Sequence, residues 1–195
     1  MELQDFRKEF LETVKSVAAA DKDFNQAAFI TVAAQKLMDA EEITDFEPCY
    51  FEGSGKRNRK LRVDGYSFDD VDDSLRLVIA DYHGDEDAIT LTQSEAERLF
   101  DVLKAFVEEA ITGQLHPNLE ESSPGFGLSS DIYHRRDNIL RFKLYLLTDA
   151  VLSTRVKDLL SEPLRGKPVE YQIWDISRFH RVFQSFTGRD ELNID

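Results

Sequence analysis

The apolar residues of this 195-residue chain change period along its length, and each change marks an element. Leu3, Phe6, Phe10, Val14 and Val17 recur every three or four positions, which predicts a helix over about residues 2–19 with one buried face. Phe29, Ala33, Leu37 and Ala40 form a second such stripe from about Asn25 to Glu42, with Phe24 as a staple at its start. Residues 46–51 then turn extended, and Pro48, which has no amide hydrogen for a ladder, assigns them to a sheet edge. Gly53-Ser54-Gly55 breaks the chain into a hairpin. The strand over about 59–66 alternates Leu61 and Val63 with Lys60, Arg62 and Asp64. The next, at 75–83, is apolar on both sides in its middle (Leu75, Leu77, Val78, Ile79, Ala80), as a central strand covered on both faces must be.

Thr92 and Glu95 form a capping box at the start of the best-specified helix. Its stripe is Leu99, Leu103, Phe106 and Ala110, widened by Phe100 and Val107, and Gly113 ends it. Residues 116–127, with two prolines and two glycines, read as a loop. A helix at about 128–138, a strand at 139–147, a short helix at 153–160 and a strand at 169–175 follow. Phe179, Val182, Phe183 and Phe186 define the final helix, with Gly188 as its stop. The principal order is α-α-β-β-β-α-α-β-β-α, an α/β fold with a mixed central sheet flanked by helices. No repeat or linker divides residues 1–195, so one domain is expected. Glu191-Leu192-Asn193-Ile194-Asp195 reads as the entrance to a further strand, so the expectation is the N-terminal part of a longer protein.

Composition narrows the class. No run approaches the ~20 apolar residues of a membrane span, no basic-then-apolar leader opens the chain, and Cys49 is the sole cysteine. The expected location is the cytoplasm. A net charge of −14 sets the chain as a whole against a nucleic-acid duplex. Two stretches run the other way: Lys56, Arg57, Arg59, Lys60 and Arg62, and His134-Arg135-Arg136 with Arg141 and Lys143. The first is the candidate nucleic-acid contact, against the simpler reading of both as solvated basic loops.

The candidate chemistry lies on two neighbouring strands. Asp64 and Asp81 each stand near a strand end, and an acidic turn (Asp69, Asp70, Asp72, Asp73) joins the strands. Two carboxylates at one sheet rim can share Mg²⁺, a hard cation that takes oxygen ligands and activates water. Glu41 or Glu42, at the end of the second helix, is the candidate third ligand. This arrangement resembles that of restriction-endonuclease-type nucleases: Asp, a spacer, then Asp or Glu, one residue, and Lys. Here Asp81-Tyr82-His83 puts a histidine where the lysine belongs, so His83 would stabilise developing charge in its place. Aspartates beside glycine at strand ends are also ordinary turn residues. Asp175 or Ser177 can cap the last helix, with an Asp175–Arg178 pair beside it, and Trp174 reads as core. The four histidines (His83, His116, His134, His180) lack metal-ligand spacing, and Gly53-Ser54-Gly55 and Gly125-Phe126-Gly127 are too short for phosphate loops.

Leu61-Arg62-Val63-Asp64-Gly65-Tyr66, the strand Leu75–Tyr82, Ile173-Trp174-Asp175-Ile176-Ser177-Arg178 and the trailing Glu191–Asp195 resemble the N-terminal region of bacterial abortive-infection phage-resistance (AIPR) proteins. The likeness runs from about residue 24 to the end. It implies a restriction-endonuclease-like domain heading a phage-defence protein, with Asp64 and Asp81 as the two acidic positions of a nuclease. The missing lysine implies either a Mg²⁺-dependent nuclease or a degenerate core kept as scaffold. The competing reading is a non-catalytic module whose acidic surface meets a basic partner or the remainder of the protein.

Overall fold

The computed structural model describes residues 1–21, 24–157, 159 and 162–190, the side chains of 187–190 excepted. Its elements are α1 (Leu3–Asp21), α2 (Asn25–Asp39), β1 (Glu47–Ser54), β2 (Lys60–Asp69), β3 (Ser74–Asp81), β4 (Thr90–Leu91), α3 (Gln93–Ile111), α4 (Pro124–Arg135), β5 (Arg141–Thr148), β6 (Val151–Leu152), β7 (Val169–Trp174) and α5 (Ile176–Asp190). Five strands form one sheet in the order β1-β2-β3-β5-β7. The first three are an antiparallel meander, and β5 and β7 continue it in parallel. β1 with Pro48 is at an edge, and β3 is the middle strand.

Both faces of the sheet are covered, which is why β3 is apolar almost throughout. Leu75, Leu77 and Ile79 pack with Phe142, Leu144 and Leu146 under α3 and α4. Val78, Ala80, Tyr145, Leu147 and Trp174 pack on the other side under α1, α2 and α5. Within that second core Phe29 of α2 is fully buried between the rings of Phe10 and Tyr82, at 5.9 and 5.1 Å. None of the described helices is long and apolar enough to cross a membrane.

Several boundaries move from their predicted places. The second helix stops at Asp39, short of 42, because Glu41 takes φ 58° in the turn that follows. The loop read at 116–127 ends early, since Pro124 opens α4: proline at the first helical position loses only an amide that has no partner there. The helix expected at 153–160 is absent from residues 153–157, which leave β6 through a turn, while residues 158, 160 and 161 lie outside the described residues. β4 and β6 add a two-stranded parallel ladder that is too short for periodicity to reveal. α5 continues through Gly188 to Asp190, and the strand expected at 191–195 lies outside the described residues. Phe24, offered as a staple, is 85 % exposed.

Phe29→Ala should lower unfolding stability by about 3–5 kcal/mol, the cost of a large cavity in a well-packed core, measured by urea denaturation.

Candidate functional site

The antiparallel pairing of β2 with β3 runs from Asp69↔Ser74 to Gly65↔Val78 and stops there. β1 meets β2 with a register shift between Pro48 and Phe51, at the same level. On β2 the residues facing α3 switch from Leu61 and Val63 to Tyr66 and Phe68, so the alternation slips at Asp64-Gly65. Gly65 suits this bulge: a Cβ there would sit 2.2 Å from the Phe46 ring. Beyond it the backbone of Ala80 on β3, still in register with Leu147 of β5, has no ladder partner on β2, and side chains replace the ladder on that side. Ala80 N donates to Asp64 Oδ2 at 2.7 Å, and Arg62 Nη2 donates to Ala80 O at 2.8 Å. Arg62 also grips the carboxylate directly, with Nε at 3.2 Å from Oδ1 and Nη2 at 2.8 Å from Oδ2. Burial outweighs these contacts and pushes the Asp64 carboxyl above its ordinary range.

Asp81 ends β3 beside its register partner Thr148 on β5. Its Oδ2 meets His83 Nε2 at 2.8 Å and accepts a longer bond, 3.4 Å, from Thr148 Oγ1. Asp64 and Asp81 thus stand on adjacent strands near one rim, yet each carboxylate engages different partners. Glu41 does not join them. Phe29 near the start of α2 stacks on Tyr82 of this rim, and Glu41 lies beyond the far end of that helix, at least ten residues or about 15 Å away.

The same rim carries an acid that the sequence reading passed over. Asp149 is fully buried, and it accepts from His83 N at 2.8 Å and Gly84 N at 2.9 Å. Arg7 of α1 pairs with it at 3.2 Å, donates to its carbonyl and reaches Glu86 O at 3.0 Å. Asp149 therefore fixes the loop that positions His83. Ending the strand at Leu147 hid it; the available signal was a strand-end aspartate like the two that were chosen. Asp175 acts as the cap expected of it, accepting from Arg178 N, and also from Leu152 N, at 2.8 Å each. The expected Asp175–Arg178 ion pair is not made: the guanidinium lies 4.0 Å over the buried Trp174 ring and donates to Gln172 and Ile173.

The basic stretches are largely spent. Lys60 pairs with Glu52 at 2.7 Å, Arg59 with Glu108, and Arg62 with Asp64. Lys56 and Arg57 make no ion pair among the described residues. In the second stretch Arg135 holds Asp70 and Lys143 holds Asp72, at 2.8 and 2.6 Å, so the acidic turn engages two of its cations at the opposite end of β3 from Asp81.

These donors do not fit a Mg²⁺ site as they stand. Both Asp64 oxygens are committed to Arg62 and Ala80, Glu41 is remote, and no group of three metal-ligating side chains assembles among the described residues.

The family of abortive infection phage resistance protein N-terminal domains matches residues 29–181, more than half of the chain. The chain belongs to this family. No curated protein and no solved structure matches it. The AIPR match spans β1 to β7 and hence the whole rim, Asp64, Asp81, Asp149 and Asp175 included, whereas Arg7 precedes it.

Asp64→Asn should cost roughly 3 kcal/mol in urea denaturation, because it weakens the hold on Arg62 and on a buried backbone amide. A carboxylate kept for catalysis would give a neutral or stabilising substitution instead. At the other end of β3, Asp72 is held down at about 2, against the desolvation that raises it, by Lys143 and Ser74. A depressed carboxyl stabilises the fold above its unfolded pKa, and that stability drains as pH falls through the folded value. Wild type should lose stability between pH about 5 and about 2 more steeply than Asp72→Asn, followed by thermal melts across that window.

Proposed function

We propose that this AIPR domain is a degenerate nuclease-like core that serves a phage-defence protein without cutting nucleic acid. Family membership supports the phage-defence setting. Support for the nuclease-like ancestry comes from an antiparallel meander continued by parallel strands, with Asp64 and Asp81 on its adjacent strands. The observation that carries the loss of cutting is the Arg62 guanidinium on Asp64. It occupies both oxygens of the first acid, and the bond to Ala80 N turns that acid into a backbone partner. His83, in the position of the lysine, is engaged with Asp81. No step of phosphodiester hydrolysis is assigned to these residues.

Calorimetry with Mg²⁺ and Mn²⁺ tests the proposal on wild type and Asp64→Asn, alongside incubation with single- and double-stranded DNA and RNA. Neither protein should bind metal saturably at millimolar concentration, and no substrate should be cut. Saturable binding that Asp64→Asn abolishes, or metal-dependent cleavage, would restore Asp64 and Asp81 to a working Mg²⁺ site.

A further inference from the structure

Six cations converge around the C-terminal end of α3 from three separate segments. The β1–β2 hairpin brings Lys56, Arg57 and Arg59; the end of α4 brings Arg136; the turn before β7 brings Arg165 and Lys167. They line two adjoining clefts, of about 630 and about 260 Å³, which share Thr112 and Arg165. The acids on the same walls are Glu108, Glu109 and Asp137. Cations thus outnumber acids two to one here, on a chain whose net charge is −14.

Half of the cations have protein partners. Arg59 pairs with Glu108, Arg136 donates to Tyr133 O and lies over its ring, and Lys167 donates to Ile139 O. Glu109 is engaged by the backbone N–H of Lys56 at 2.6 Å. That leaves the Lys56, Arg57 and Arg165 side chains exposed and without an ion pair among the described residues. A helix C-terminus attracts cations, but that attraction fades within its last turn and is worth about 0.3–1 kcal/mol each. It does not account for three unpaired cations on two loops. Arg57 and Arg165 also hold φ of 56° and 52°, a conformation that side chains of this size rarely adopt.

We propose that these adjoining clefts bind the phosphate backbone of single-stranded nucleic acid. The chemistry required is a row of singly charged oxyanions, spaced so that several cations each meet one. A single strand carries less charge per length than a duplex and can follow a narrow groove, whereas a duplex would press its second strand against an acidic surface. α3 starts beside the β4–β6 ladder, just past the Asp81 end of the sheet, so its C-terminal end is a helix length of about 28 Å from there. The site needs neither metal nor cleavage, so its test is independent of the fate of Asp64. Of the five cations that adjoin in sequence, Lys60 and Arg62 drop out, while Arg136, Arg165 and Lys167 enter.

The test is fluorescence anisotropy on the whole chain without divalent ions, with labelled single-stranded DNA and RNA of about twenty nucleotides. Three unpaired cations predict a log–log salt slope of about −2, or roughly 15-fold weaker binding between about 50 and about 200 mM salt. Arg57→Glu with Arg165→Glu should weaken binding at least about tenfold. Lys8→Glu with Arg98→Glu, the same charge change on other exposed helix positions, should leave it within about twofold. Arg57→Gln with Arg165→Gln, a milder pair, should make the slope shallower by about 1.4. No binding by wild type at the lower salt would overturn the proposal, as would equal loss in the control pair. Preference of the same cations for polyglutamate over both nucleic acids would reassign the clefts to an acidic polypeptide.

Discussion

The backbone of Ala80 sets the terms for this domain. It lies in the middle strand of a sheet buried on both faces, where an unpaired N–H or C=O costs as much as a lost hydrogen bond. β2 stops pairing with β3 at Gly65, two residues short of supplying those bonds. Asp64 and Arg62 supply them, one accepting from the amide and the other donating to the carbonyl. Because the two side chains also bind each other, neither charge is buried alone. Farther along, the tip of the same β1–β2 hairpin meets Glu109 near the far end of α3.

The same economy recurs along the rim. Asp149 holds the amides of His83 and Gly84, and Asp175 holds those of Leu152 and Arg178. Three buried aspartates therefore stand in for backbone carbonyls where chain segments leave the sheet. An aspartate does this well, since each ionised oxygen accepts more than one bond and the carboxylate is short enough to be held rigidly. A rim built in this way looks, in one dimension, like the acid cluster of a metal enzyme. In three dimensions both oxygens of its first acid, Asp64, are already held by Arg62 and the Ala80 amide.

Much of the fold was legible because burial leaves a period. Helices with one buried stripe, the two-faced apolar run of β3 and the capping box at Thr92, whose reciprocal bonds the structure contains, all come from local rules. Errors arose where a rule has two outcomes. Pro124 reads as a loop residue or as the first residue of a helix, and Ser123 with Pro124 takes the second. Glu41 seemed close to the acids because helix ends adjoin strands in sequence, but α2 runs antiparallel to the direction that would have brought it there.

The order of apolar and polar residues by itself determined a two-faced α/β sheet, its central strand and its Pro48 edge, since each depends on neighbours within a few positions and on whether water is excluded. Which partners the charged residues take was decided only by the tertiary structure. Arg59 meets Glu108 across 49 residues, Arg7 meets Asp149 across 142, and Arg165 joins Arg57 by way of the end of α3. Electrostatic partners are chosen by distance in space and by the dielectric around them. A sequence records the charges but neither of those.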